Sequence, residues 1–482
     1  MLALNEPING DICREWLYKK ICGYATESDT ITEIQDFFLV GQSSYVNFFN
    51  KEIPFHCISE KYWKLGNKKI RYKSDKKYID SMRDLINIAV KRRLDVYSGI
   101  VGSELSGGLD SGVISILLKR YGRDAIYYSW SADPKDIPYV ENDERLVIKD
   151  ICEQERIECH YESNWYLDSD SNIGKNHEKI GLKYNSEKDF YINYALPLYL
   201  NTFYIAETSQ YVSKRGAKVV FTGHGGDEGV SHRSNPFELF YHKEYLQFIK
   251  LNWALTSGQK NRILQTYRKA KGWISLKDYY TKRTFIHYRN SPEILSKSLA
   301  DEFKDTSLSV DTFVFDVIQH INEGCTNVRP KITAFLGAYS GARYVFPYLD
   351  KDVIDFAVSI PRYLYQKNGI TRYIFREAFK DIMPKSLLEV EIKDTPSQNT
   401  EKKESRQDWF EIVSEYNREL MESLNRDYWE KYLDYGALKK WMNSPRPSDE
   451  EKEHYLNVTR MLRDCFRFQS MVKSVKSIAN KP

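Results

Sequence analysis

The sequence predicts an α/β protein: a parallel, twisted sheet with helices on both faces, a mostly helical carboxyl-terminal part and a small α+β segment in front. Three observations carry this. Strand-like and helix-like stretches alternate between Gly99 and Thr222, two of the strands run straight into glycine-rich turns with acidic residues, and helical patterning dominates from about residue 235 onward. Strands joined through helices need right-handed crossovers and therefore lie parallel, covered on both faces. Ligands of such sheets gather at the carboxyl ends of the strands.

Residues 1 to about 75 carry short apolar stretches, Phe37 to Val40 and Ile53 to Phe55, with turn residues between them. From Tyr78 the positions Met82, Leu85, Ile86, Ala89, Val90 and Leu94 recur at helical spacing. This helix leads into a strand over Gly99 to Leu105. A helix over Ser111 to Arg120 and a strand over Ala125 to Ser129 come next. Asp143 to Glu155 reads as a helix with Leu146, Val147, Asp150 and Ile151 along it, and Ile157 to Tyr161 as a short strand. Residues 163 to about 187, rich in Ser, Asn, Asp and Lys, read as an exposed insertion. A helix from about Leu196 to Lys214 then delivers a buried-type strand over Lys218 to Thr222. In the tail from about Gln407, Trp429, Tyr432, Leu433 and Leu438 are the apolar positions, Lys473 and Lys476 are expected at the surface, and packing onto the preceding domain is the default.

Length and composition narrow the function classes. The 482 residues suggest several packed units. They are 41% hydrophobic and 29% charged, with a mean hydropathy of −0.58 and no run long enough to span a membrane. The opening Met-Leu-Ala-Leu-Asn-Glu lacks a signal-peptide pattern, so the expectation is a cytoplasmic protein without membrane contact. A net charge of +4, spread along the chain, argues against a dedicated nucleic-acid binder. Seven cysteines without a Cys-x-x-Cys pair argue against a disulfide framework and a zinc ribbon.

Two motifs carry chemistry. Ser106-Gly107-Gly108-Leu109-Asp110-Ser111 stands where the first strong strand meets a helix. Its glycines permit a tight turn with inward amides, its serines add donors, and the helix amino terminus adds partial positive charge, which together make a phosphate cradle. Asp110 would repel bare phosphate but suits Mg²⁺ bridging the phosphates. Thr222-Gly223-His224-Gly225-Gly226-Asp227-Glu228 follows a second strand, and Asp227 could supply another carboxylate to the same ion.

These two motifs, with Phe346 to Asp350, Asp355 to Pro361 and Arg372 to Ala378, resemble the synthetase domain of the asparagine synthetase family. That family includes β-lactam synthetases and lasso-peptide cyclases. The resemblance covers roughly residues 80 to 400 in family order. It implies an ATP-binding sheet of the adenine nucleotide alpha hydrolase type, also called a PP-loop fold. On this reading residues 1–75 are a truncated glutaminase-like remnant, 76–400 the synthetase domain, and 401–482 a helical extension.

The implied activity is ATP-dependent and AMP-forming: a carboxylate becomes an acyl-adenylate with loss of pyrophosphate, and a nitrogen nucleophile displaces AMP to leave an amide. Carried over by position, Ser106, Gly107, Gly108, Asp110 and Ser111 hold pyrophosphate, and Asp110 and Asp227 hold Mg²⁺. Leu105, Ser129 and Gly223 contact adenosine. Arg372 stands where the family usually has a phosphate-contacting Lys, and Lys393 near the Lys that neutralises developing charge.

Three departures refine the implication. Residue 2 is Leu2, where glutamine-dependent members expose a catalytic Cys, and the part before the phosphate loop is about half the usual length, so glutamine hydrolysis is not expected. His224 replaces the Glu of asparagine-forming members. Lasso-peptide cyclases commonly have His there, and an imidazole can take a proton from an attacking amine. Arg343 lies farther from Pro347 than the family's Arg does from its Pro. The favoured expectation is a natural-product or lasso-cyclase-like ligase acting on a small-molecule or peptide carboxylate, a precursor peptide included. The alternatives are an asparagine synthase or other amidotransferase fed by free ammonia or a separate glutaminase subunit, and an inactive nucleotide-binding scaffold.

Overall fold

The structure, a computed structural model, describes residues 11–21, 44–48, 57–65, 70–161, 202–276, 292–303, 341–390 and 409–448, with scattered residues within 317–337 and 455–469. A first helix, α1 (Arg14–Ile21), precedes an antiparallel pair, β1 (Ser44–Phe48) and β2 (Cys57–Lys61). Just beyond β2, the Trp63 indole donates to the Asp355 carboxylate at 3.1 Å, which ties this segment to the main body.

Helix α2 (Asp75–Leu94) starts at Ser74, whose hydroxyl accepts from the Lys77 amide. It buries Tyr78, Met82, Ile86, Ala89, Val90 and Leu94, the face that its spacing predicts. Its last turn carries Arg92 and Arg93, which reach Asp350 at 3.2 and 2.9 Å. The central unit then runs through β3 (Val101–Glu104), α3 (Leu109–Arg120), β4 (Ala125–Ser129), α4 (Glu144–Glu155) and β5 (Cys159–Tyr161). It continues with α5 (Thr202–Lys214) and β6 (Val219–Phe221). Along α4 the buried apolar positions are Val147, Ile148 and Ile151, whereas Leu146 faces outward at 44% exposure.

Next come α6 (Pro236–Tyr241), α7 (Tyr245–Ala254), α8 (Arg262–Ser275) and α9 (Lys297–Phe303). A strand that sequence patterning does not predict, β7 (Arg343–Val345), then returns to the sheet. Three residues are too few to show an alternating pattern, and β7 exists because its backbone pairs with β6 over Val219 to Phe221.

The sheet is parallel, in the order β5-β4-β3-β6-β7. Helices cover both faces. The Ser103 hydroxyl meets Ser115 of α3 at 2.9 Å on one side, and Val220 packs with Ile205 and Val212 of α5 on the other. The chain moves outward from β3 to β5 and then crosses back to β6, so the crevice at the carboxyl ends of β3 and β6 is the switch point where ligands bind.

After β7, α10 (Lys351–Ala357) is capped by Asp350, a small hairpin forms from β8 (Gln366–Lys367) and β9 (Ile370–Thr371), and α11 (Tyr373–Phe379) and α12 (Lys385–Glu389) close the unit. The tail supplies α13 (Trp409–Ser423), α14 (Arg426–Trp429) and α15 (Tyr435–Met442). Its predicted apolar positions Trp429, Tyr432, Leu433 and Leu438 are buried, but in a core of their own with Ile12, Trp16 and Leu17 and with Leu295 and Leu299. The first helix and the last thus share one cluster, separate from the core around the sheet. Among the described residues no helix is long and apolar enough to cross a membrane. The predicted insertion at 163–187, the stretches Phe37 to Val40 and Ile53 to Phe55, and Lys393, Lys473 and Lys476 lie outside the described residues.

Candidate active site

The first glycine-rich turn links β3 to α3. Gly107 has φ +60°, and a Cβ there would stand 2.5 Å from the Glu144 carbonyl oxygen, so the turn needs glycine on both counts. Gly108 precedes α3 without a side-chain cap, leaving the first helical amides to face the crevice. Ser111 Oγ accepts from the Ser106 amide at 3.1 Å and lies 3.0 Å from Ser106 Oγ, so the two hydroxyls form one polar edge.

Asp110, in the first turn of α3, is only 9% exposed. Burial pushes its carboxyl above the ordinary carboxylate range; the Arg372 charge and the Ser231 hydroxyl pull it down, and Glu228 pushes it up. Its Oδ1 is buried and makes no hydrogen bond of good geometry among the described residues.

The second turn leaves β6. A Cβ on Gly223 would stand 2.5 Å from the Ser111 amide nitrogen, and one on Gly226 would collide with the Asp110 carboxylate. These two glycines let the turns pack backbone to backbone. Between them the His224 amide donates to Thr222 Oγ1 at 3.2 Å, and its ring meets Phe346 edge-on at 5.8 Å. Its Nδ1 lies 3.9 Å from Glu228 Oε1. Glu228 is held in turn by the Gly225 amide at 3.1 Å.

Arg372 closes the arrangement. It stands at the amino end of α11 with φ +56°, a left-handed conformation uncommon for a side chain of this size. From there Nη1 donates to Asp110 Oδ2 at 3.2 Å, and Nη2 donates to Asp227 Oδ1. Residues far apart in the chain therefore meet as one cation between two carboxylates.

A cleft of about 360 Å³ opens over this group. Of the residues predicted from sequence, Leu105, Ser106, Gly108, Asp110, Ser111, Ser129, Gly223, His224, Asp227 and Arg372 line it. Gly107 is turned away against Glu144, where it shapes the loop. Arg343 lies outside the lining, exposed at the amino end of β7 with Nη1 donating to the Tyr97 hydroxyl at 3.4 Å. That end of the sheet is opposite the cleft, which removes Arg343 from any contact with substrate there.

Sequence reasoning missed one wall. Glu104, the residue before Leu105, receives Arg329 Nη2 at 2.7 Å on both carboxylate oxygens. The Arg329 guanidinium lies 5.1 Å from the Trp130 ring centroid, and Tyr128 donates to Glu104 at 3.4 Å. A signal was present: a carboxylate at the end of an otherwise uncharged strand, directly before a phosphate-type loop, marks a position facing the cleft.

Residues 81–472 match the family model of asparagine synthase. The chain belongs to the asparagine synthase family. Comparison with curated proteins finds no match. The asparagine synthase match takes in both glycine-rich turns and Arg372 and runs on into the helical tail, and the five-stranded parallel sheet with helices on both sides agrees with that family's α/β fold. Asparagine synthase-family proteins are ATP-dependent ligases that form carbon–nitrogen bonds.

Proposed function

We propose that this chain is an AMP-forming amide ligase that adenylates a carboxylate and passes it to a nitrogen nucleophile. The observation that carries the reading is the convergence of Asp110, Asp227 and Arg372 from two strand ends and one helix end on a single cleft. A carboxylate oxygen of the substrate attacks the α-phosphorus of ATP, and the bond to pyrophosphate breaks. The nitrogen then attacks the acyl carbon, loses a proton, and AMP departs.

The residues divide this work. Ser106, Ser111 and the open amides of α3 hold the departing pyrophosphate, and Arg372 offsets the charge that builds on it. Leu105, Ser129 and Gly223 bound the adenosine side. Mg²⁺ fits Asp110 and Asp227: both offer hard oxygen donors, and the buried Oδ1 of Asp110 has no hydrogen bond of good geometry among the described residues. Among the described residues no cluster of three or more acidic, His or Cys ligands exists, so such an ion would also draw on phosphate oxygens. When bound, it would neutralise phosphate charge. His224, oriented by its neighbours Phe346 and Glu228, takes the proton from the attacking amine. Lys393 keeps its proposed role in neutralising developing charge; Val390, at the edge of the described chain, already lines the cleft.

An imidazole at this position suits an amine nucleophile, so a natural product or precursor peptide whose own amine closes on the activated carboxylate is the favoured substrate. The two half-reactions can be read separately. Asp110→Asn should abolish ATP–pyrophosphate exchange and amide formation together, whereas His224→Ala should keep exchange within about twofold and slow amide formation ~100-fold. Full exchange in Asp110→Asn would refute the adenylation site. Turnover with aspartate and ammonia alone would refute the cyclase-like reading in favour of an ammonia-fed synthetase.

A further inference from the structure

The longest acid-free stretch among the described helices lies away from the cleft. Residues 245–276 contain Lys250, Lys260, Arg262, Arg268, Lys269 and Lys271 and no Asp or Glu. Helices α7 and α8 lie in this stretch and pack on each other, sharing Phe248, Leu251, Ala270 and Trp273 beneath.

Their outward sides are apolar. On α7, Leu246, Ile249 and Trp253 follow helical spacing on the side opposite Phe248 and Leu251 and are 63%, 56% and 42% exposed. On α8 no residue is buried, and Ile263, Tyr267 and Ile274 form a stripe exposed by 79%, 63% and 38%. Half of the large exposed hydrophobic side chains of the described protein, nine of eighteen, fall in these 32 residues. Arg262 fastens the turn, its guanidinium 3.9 Å from the Trp253 ring centroid and donating to the Trp253 carbonyl at 2.7 Å. Lys250, Lys260, Arg268, Lys269 and Lys271 are exposed and have no ion-pair partner among the described residues.

We propose that α7 and α8 are a peripheral docking surface for an anionic lipid bilayer. A surface helix with Lys and Arg beside a stripe of Leu, Ile, Trp and Tyr has the composition that lies in the headgroup region, its apolar side chains among the acyl chains and its cations on lipid phosphates. Side chains that stand up singly insert into lipid without a matching groove. A second copy is a poor occupant, because a twofold contact through this face would set cations against cations. The expectation of no membrane contact rested on the lack of a spanning segment, which has no bearing on a surface helix.

Flotation of the full-length protein with vesicles tests the proposal. Vesicles of phosphatidylcholine with phosphatidylglycerol should carry the protein upward at low salt, phosphatidylcholine alone should not, and added salt should weaken the binding. Leu246→Ser combined with Ile263→Ser and Tyr267→Ser should reduce binding ~10-fold, and Lys269→Glu with Lys271→Glu should do the same. Both variants should keep the circular dichroism spectrum and melting temperature, since all five positions are exposed. No flotation with phosphatidylglycerol vesicles, or flotation unchanged in both variants, overturns the proposal. So does a vesicle-inert protein whose dimer, or whose complex with an acidic protein, is broken by the same substitutions. None of these outcomes depends on ligase activity.

Discussion

Arg372 is the residue on which the cleft turns. Its planar fork spans Asp110 and Asp227 at once, a geometry that a Lys point charge cannot copy. Removing it leaves the buried Asp110 carboxylate without its guanidinium partner and Asp227 with the more distant Arg233, 3.9 Å away. Arg372→Ala should therefore lose about 2 kcal/mol of stability without divalent cations, a figure moderated because Asp227 is half in solvent. Mg²⁺ should restore more of that loss than it adds to the unaltered protein. Thermal melts with and without Mg²⁺ decide this, and equal gains in both proteins would mean that the carboxylates form no cation site. Individual residue types were legible in the sequence here: the serines, glycines and aspartates of both turns stand where their chemistry requires. That Arg372 pairs with both carboxylates was not legible, because no local pattern encodes a contact between turns so distant in the chain.

At the scale of elements, the loop between β4 and α4 supports the cleft wall that carries Ser129 and Trp130, and one ion pair holds it. Arg145 is fully buried and donates to the Ala132, Ile137 and Pro138 carbonyls and to Asp143. Asp143 also caps α4. Burial alone would raise its carboxyl, but hydrogen bonds from the Arg145 side chain and amide and from the Val140 amide, with the Arg145 charge, bring it below its ordinary value of 3.8. A depressed folded-state pKa stabilises fully above the unfolded value, and the gain is lost as pH falls through the folded one. Asp143→Asn should thus cost about 3 kcal/mol at neutral pH, with the gap to the unaltered protein narrowing only below that ordinary value. Urea midpoints taken stepwise into acid would show it; a gap that closes already near neutrality would assign the loss to another group. Helix α4 was legible from Asp143 onward, yet Leu146 points outward and Ile148 inward, since the neighbours of α4, and not its own pattern, choose the buried arc.

At the scale of the molecule, the two largest hydrophobic clusters among the described residues stand apart. One surrounds the sheet, and the other joins α1 to the tail through Trp429, which is fully buried with its indole donating to Gln469 at 3.2 Å. Trp429→Ala should cost that second core about 3–5 kcal/mol and open α1 and the tail to protease. ATP–pyrophosphate exchange should persist, because none of its residues belongs to that cluster. Loss of exchange in a variant with native circular dichroism would show that the tail core supports the cleft. The net charge of +4 also hides an uneven surface: ion pairs such as those of Asp350 neutralise the sheet domain locally, while the cations of α7 and α8 have no ion-pair partner among the described residues.

By itself the sequence determined the alternation that makes a parallel sheet, both glycine-rich turns and the helical tail. Each depends on neighbours within a few residues: side-chain period, the freedom of Gly107, a strand running into a helix. The tertiary structure decided the rest. It added β7, which owes its existence to pairing with β6, set Glu104 against Arg329 in the cleft wall, joined α1 to the tail, and placed Arg372 between Asp110 and Asp227. These contacts join distant stretches whose own sequences carry no record of their partner, so only the folded chain brings them together.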